Sequence, residues 1–268
     1  MTLVVLGDLM IDVIARAEGP LARGSDTPAS ITHEGGGSGA NVAAWAAALG
    51  TPVCFACRVG DDAPGRRAVD SLLEAGVKVH AAVDRERPTG TCVVLVEPGG
   101  ERTMLPDPGA NDAPVDVPDA WLDVGRHLHV VGYALLRHGA RPGALAAIER
   151  AQAAGMTVSV DPSSWALIRP GAIPPVDLLL PNEREAEVLA DHGEMVVKLG
   201  PRGARWGDVR VPAAPVEFVD TTGAGDAFAA GLLGARLNGA DERQSLEAGC
   251  AAAARVVAQV GARPSQYD

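Results

Sequence analysis

Short apolar runs alternate with alanine-rich stretches along most of this chain, and two polar segments interrupt the rhythm. Leu3–Leu6 and Val53–Val59 have the length and composition of fully buried strands, and Val77–Val83 reads as a third. Asn41–Leu49 predicts a helix stopped by Gly50, with Pro52 just beyond, and Gly65–Ala75 predicts another ended by Gly76. Thr89–Met104 predicts a hairpin turning at Pro98-Gly99-Gly100. From His127 onward strand and helix alternate. A strand and a helix over Gly143–Ala154 lead to strands at 157–162 and 176–182 and a helical piece from Glu183. A strand over Met195–Leu199 and helices over Ala227–Leu237 and Asp241–Val257 complete the series. This alternation predicts an α/β fold, a doubly wound, mostly parallel sheet flanked by helices. The whole chain, 1–268, reads as one domain, with the polar segments near 13–34 and 85–108 forming a small β-lid.

Composition narrows the reading. With 47% hydrophobic but only 3% aromatic residues, the core must be built from Ala, Val and Leu, which suits a parallel sheet under helices. The net charge of −11 argues against nucleic acid and anionic membrane as partners. The uncharged stretch from Gly35 to Cys57 could span a bilayer by length, but its glycines and Pro52 break it into loop, helix, turn and strand. Cys54 and Cys57 form a lone CxxC on a strand, pointing to opposite faces, and read as buried structural thiols. Reduced thiols and a start lacking a basic leader predict a cytoplasmic protein. The six histidines show no metal-ligand spacing.

The candidate chemistry lies in two glycine-rich turns. In Asp220-Thr-Thr-Gly-Ala-Gly-Asp226, a small turn leads straight into an apolar helix. Gly223, Ala224 and Gly225 leave backbone N–H groups open to an anion, and the helix behind them adds partial positive charge. Asp226 beside such a hole can take a proton from a hydroxyl while a phosphate is held. Taken alone, the segment reads equally well as a capped helix after a glycine turn. Gly35-Gly-Gly-Ser-Gly-Ala-Asn41 also opens an alanine-rich helix, and Asn41 offers a donor and an acceptor to sugar hydroxyls. A flexible loop with an Asn near a helix start is the equal alternative there.

Together, GGGSGANVAAWAAALG and DTTGAGDAFAAGLL resemble the signature pair of the ribokinase-like (PfkB) carbohydrate kinases. GDLMID, RVGDDAPG, PGAN, PNEREAE, VKLGPRGA and GARPS extend the resemblance, in the family's order, from Gly7 to Ser265. The resemblance implies an ATP-dependent kinase with Asp226 as catalytic base and Gly223, Ala224 and Gly225 as anion hole. It implies that Asp12, Gly36, Gly37 and Asn41 bind the acceptor. Asn182 and Glu185 would help place ATP and Mg²⁺ through water, and Lys198 and Gly200 would line the nucleotide site. Asp220, Gly261 and Ser265 would fall where many members bind K⁺, and the lid would be a route to a homodimer. Without the resemblance, Asn182 and Glu185 read as an N-cap with an acidic first turn.

The acceptor stays open among sugars, sugar acids, sugar phosphates and nucleosides, and a non-catalytic sugar- or nucleotide-binding regulator is the alternative class. No cluster of Arg or Lys lies beside Gly35–Asn41 in sequence, which argues against a phosphorylated acceptor. An ordinary carboxylate pKa of ~3.9 would leave Asp226 ionised at neutral pH, accepting its proton late in transfer.

Overall fold

The computed structural model describes residues 1–169, 171–189, 192–217 and 219–264. The chain runs β1 (Thr2–Leu6), β2 (Met10–Ala17), β3 (Ala29–Gly36), α1 (Ser38–Ala48), β4 (Val53–Gly60), α2 (Ala63–Glu74), β5 (Lys78–Asp84), β6 (Gly90–Val96) and β7 (Arg102–Asp107). It continues through α3 (Asp119–Val124), β8 (Gly125–Val131), α4 (Tyr133–Leu136), α5 (Arg141–Ala153), β9 (Thr157–Asp161), β10 (Leu178–Leu179) and α6 (Glu183–Val188). It ends with β11 (Val196–Lys198), β12 (Ala204–Trp206), β13 (Val209–Val211), α7 (Ala224–Leu237) and α8 (Glu242–Val257).

Six strands form a parallel sheet in the order β10-β9-β8-β1-β4-β5. Because side chains alternate across a strand, β1 feeds two cores. Leu3 and Val5 join α1, α7 and α8 on one face. Val4 and Leu6 join α5 on the other. The same alternation sends Cys57 into the first core and Cys54 into the second, as free buried thiols. His127 and His129 are buried too, both bonded to Ser159 Oγ, at 2.7 and 2.8 Å. Burial drives both imidazoles down to about 3, so they stay neutral.

The polar segments form their own four-stranded sheet, β3-β2-β6-β7, with β2 and β6 parallel and both outer pairs antiparallel. One face buries Met10, Cys92, Val94 and Val96. This sheet reaches past the predicted 13–34 at both ends, because Met10 pairs directly with Gly36. Helix α1 starts at Ser38, three residues before the predicted Asn41, since Gly37 at φ 89° turns the chain abruptly into it. The hairpin of β12 and β13 has no counterpart in the sequence reading; strands of three residues are too short to show alternation. Among the described residues no helix is long and apolar enough to cross a membrane.

Candidate active site

The parallel strands deliver their carboxyl ends to one edge, where ligands of such sheets gather. Gly7 and Asp8 follow β1 there, and Asp161 ends β9. The N-termini of α1 and α7 meet at the same place.

Asp226 sits in the first turn of α7. Ser38 Oγ donates to its Oδ1 at 2.5 Å and Asn41 Nδ2 to its Oδ2 at 2.9 Å, both from the first turn of α1. Burial, reinforced by Asp161, raises this carboxyl to about 7, against the pull of the two hydrogen bonds and Lys198. The ordinary carboxylate expected from sequence is therefore corrected: near neutrality this group exchanges a proton readily. Gly223 caps α7 at φ 77°, and a Cβ there would lie 2.8 Å from Ala262. A Cβ on Gly225 would lie 3.2 Å from Lys198 Nζ, so the ammonium stands over the Gly223–Ala224–Gly225 turn.

Asp12, on β2, faces the second turn: a Cβ on Gly36 would sit 2.4 Å from its carboxylate. Burial raises Asp12 to about 6, opposed by Arg263 and aided by Asp8 and Glu34. Arg263 donates to Gly36 O at 2.9 Å and to Asn41 Oδ1 at 3.4 Å. Its second bond fixes the Asn41 amide so that Nδ2 faces Asp226. Gly36, Gly37, Asn41, Asp12 and Asp226 are thus brought together.

On the far side, Asn182 and Glu185 form a capping box at α6, each side chain accepting from the other's backbone N–H, at 2.9 and 2.8 Å. The bland sequence reading of these two residues is what the local geometry displays. Yet Glu185 is buried, and burial together with Asp161 raises its pKa, so its carboxyl also belongs to the acidic edge of the site. Lys198 is paired with Asp161, which offsets the burial that opposes its charge. Gly200 lies two residues on, exposed, in a 3₁₀ turn at φ 58°.

Asp220 accepts from Thr222 N at 2.7 Å and from Gly261 N at 3.0 Å, and Arg102 of β7 is bonded to both Asp220 and Thr222 Oγ1. These donors overcome burial and hold Asp220 at about 2. Ser265 lies outside the described residues. Sequence reasoning missed Ser38, Asp161, Arg102 and Arg263 as partners of the site. Ser38 and Arg263 lay inside quoted motifs, but only the tertiary contacts reveal what they hold. Among the described residues no group of three or more His, Cys, Asp or Glu is placed to hold a metal ion directly.

The chain matches the model of the pfkB family carbohydrate kinase over residues 1–267. It is 34% identical to an ATP-dependent ribose-1-phosphate kinase of Halopiger xanaduensis, covering 96% of this chain and 92% of that protein. It is also 34% identical to a fructokinase of Klebsiella pneumoniae, over 85% of this chain and 82% of the relative. Among solved structures, an adenosine kinase from Sinorhizobium meliloti superposes with a TM-score of 0.84 at 27% identity, covering 98% of this chain and 95% of that one.

Proposed function

The chain belongs to the pfkB family of carbohydrate kinases, and from that premise we propose that Asp226 is the base through which it phosphorylates a hydroxyl of a small sugar or sugar-like acceptor at the expense of ATP. One observation carries this reading. A single carboxylate at the N-terminus of α7 is held by Ser38 and Asn41 of the acceptor-side helix, so acceptor and phosphate turns share their proton acceptor.

Asp12 and Asn41 take the acceptor's hydroxyls and present one of them to Asp226. The amides of Gly223, Ala224 and Gly225, with Lys198 above them, hold the transferring phosphate and the charge that spreads over its oxygens. Asp226 accepts the hydroxyl proton as the bond to phosphorus forms, a role that contributes ~10²–10⁴ in rate. Mg²⁺ bound with ATP would neutralise phosphate charge, with Glu185 and Asp161 holding its water shell. Mg²⁺ usually keeps several of its waters, which two neighbouring carboxylates could hold. The residues offered to K⁺ fit it less well, because Asp220 already carries the Arg102 guanidinium and two backbone donors. No step is assigned to K⁺.

The four-stranded sheet would act as the lid, excluding water that competes with the acceptor. Its exposed Ile31, Met104 and Leu105 would suit a second copy of the chain, and light scattering that finds only monomer would remove that part of the reading. The free, buried thiols of Cys54, Cys57, Cys92 and Cys250 are in keeping with a cytoplasmic enzyme.

The test is ADP release with Mg²⁺-ATP across a panel of sugars, sugar phosphates, sugar acids and nucleosides, with Asp226→Asn alongside. Turnover that collapses in the variant supports the proposal. Ligand-induced thermal stabilisation without turnover on any acceptor would favour a non-catalytic binding protein.

A further inference from the structure

We propose that Arg137 makes the acceptor site selective for a sugar that bears an oxyanion, a phosphate ester or a carboxylate, in addition to the hydroxyl presented to Asp226. The inference rests on the acceptor site assigned above. Arg137 follows α4, just after β8, and its guanidinium lies over the Tyr133 ring, 4.8 Å from the centroid. The side chain is only 15% exposed, yet its nearest charge is Asp8 Oδ2 at 3.8 Å, too far for a hydrogen bond. No hydrogen bond from this guanidinium is found among the described residues.

Other partly buried arginines of the protein behave differently. Arg58 and Arg102, each 24% exposed, are bonded to carboxylates, and Arg263 is bonded to Gly36 O and Asn41. Withdrawing a guanidinium from water without hydrogen bonds is costly, so a cation left in that state is a place for a ligand to complete. The contact with Tyr133 helps hold the guanidinium in place, and its planar fork can make two parallel N–H···O bonds to an oxyanion. A neutral hydroxyl could not offset the desolvated charge as a bidentate oxyanion does.

Arg137 adjoins the proposed acceptor loop through Asp8. Arg137 lines a cleft with Gly7, Asp8, Asn111 and Ala134. Asp8 is built into the acceptor loop: its carbonyl accepts from Ala40 N at 3.1 Å and would lie 2.6 Å from a Cβ on Gly37. Asn111 is committed to the backbone of Leu9 and cannot serve as the guanidinium's partner. The local sequence around Gly35–Asn41 argued against an anionic acceptor for want of basic neighbours. The fold supplies them from elsewhere, Arg137 from behind β8 and Arg263 from the C-terminal end.

The experiment compares D-ribose, ribose 1-phosphate and D-gluconate with wild type, Arg137→Gln and Arg137→Lys. In wild type, kcat/KM for one of the anionic acceptors exceeds that for ribose by tenfold or more. In Arg137→Gln that ratio falls at least tenfold, chiefly through KM, and Arg137→Lys, which keeps the charge but loses the fork, falls between. A ratio that favours ribose in wild type, or that survives the Gln substitution, overturns the proposal. Thermal shifts without ATP read the same point with no turnover needed. Stabilisation by an anionic sugar that disappears in Arg137→Gln supports the site, and equal stabilisation of both proteins overturns it. Failure of the kinase reading would appear elsewhere, as absent turnover and indifference to Asp226→Asn. The larger of the phosphate and carboxylate shifts tells which oxyanion the cleft accepts.

Discussion

The two glycine-rich turns look alike in sequence, each opening an alanine-rich helix, but their glycines answer to different physics. In the Gly35–Gly37 turn there is no room. A Cβ on Gly35 would meet Arg263 at 2.2 Å, one on Gly36 the Asp12 carboxylate at 2.4 Å, and one on Gly37 the Asp8 carbonyl at 2.6 Å. In the turn before α7 only Gly223 is so confined; the position of Gly225 faces the movable end of Lys198 at 3.2 Å. The first turn is a wall, fixed from behind by Arg263 and Asp12. The second is an opening, with amides and an ammonium facing the space where a phosphate would lie. On the proposed function the similar motifs would divide the work, one giving the acceptor a rigid seat and the other holding the transferring phosphate.

Asp226 is the point where wall and opening meet, so its loss has the largest expected effect. Asp226→Asn should lower kcat by ~10²–10⁴ in a coupled ADP assay while acceptor affinity, measured by thermal shift, changes little. A loss confined to KM would mean that the carboxylate belongs to the wall alone. Next comes Gly36→Ala, which must displace the Asp12 carboxylate or the strand beneath it. It should raise the acceptor KM at least tenfold and cost ~1–3 kcal/mol of stability, read by urea unfolding. A variant of wild-type stability and KM would show that the wall yields.

Both carboxyls lie above the usual range, Asp226 at about 7 and Asp12 at about 6. On the proposed function each would act as an acceptor of hydrogen bonds or protons and so must be ionised. The rate kcat/KM should therefore rise with pH, with a slope near 1 between pH 6 and 7 and approaching 2 below 6. Stability runs the other way. A half-buried Asp226 holds its proton more tightly folded than unfolded, so between about pH 4 and 7 it favours the native state less as pH rises. Asp226→Asn should gain stability relative to wild type from pH 5 to pH 8. A flat rate profile from pH 5.5 to 8 would contradict the buried setting of both groups. Gly225→Ala, on the open side, should be milder. Helix propensity favours Ala by ~1 kcal/mol at an interior position, which offsets the shift imposed on Lys198, and the nucleotide KM should rise only a few-fold.

The sequence made the wall and the opening visible as motifs but could not tell them apart. The parallel sheet was legible because β1 and β4 are short apolar runs and the helices after them stop at glycines, Gly50 with Pro52 beyond it and Gly76. Asp226 and Asn41 stood out only through the resemblance carried by the two glycine-rich segments together, since each segment alone reads equally well as a capped helix or a flexible loop. Arg102, Arg137, Arg263 and Asp161 did not stand out. Their partners lie 118 residues away for Arg102, 222 for Arg263 and 37 for Asp161, and nothing local in a charged residue tells which carboxylate it will meet. The β12–β13 hairpin stayed hidden for a simpler reason, since three-residue strands with arginines between their apolar ends carry no readable period.

The smallest expected effect concerns the back of the opening. Asp220 is only 5% exposed, and its charge is already met by Arg102 from the four-stranded sheet, Thr222 N and Gly261 N. A monovalent cation at this carboxylate would have to compete with a tethered guanidinium whose effective concentration is far above that of salt. Replacing K⁺ by tetramethylammonium at constant ionic strength should therefore change kcat by less than about twofold, a difference below the level of a single hydrogen bond. Arg102→Ala frees Asp220 and should make the rate respond to K⁺ where wild type does not. If wild type instead needs K⁺, Arg102 must leave Asp220 in the working enzyme, and the opening is held by salt rather than by the sheet above it.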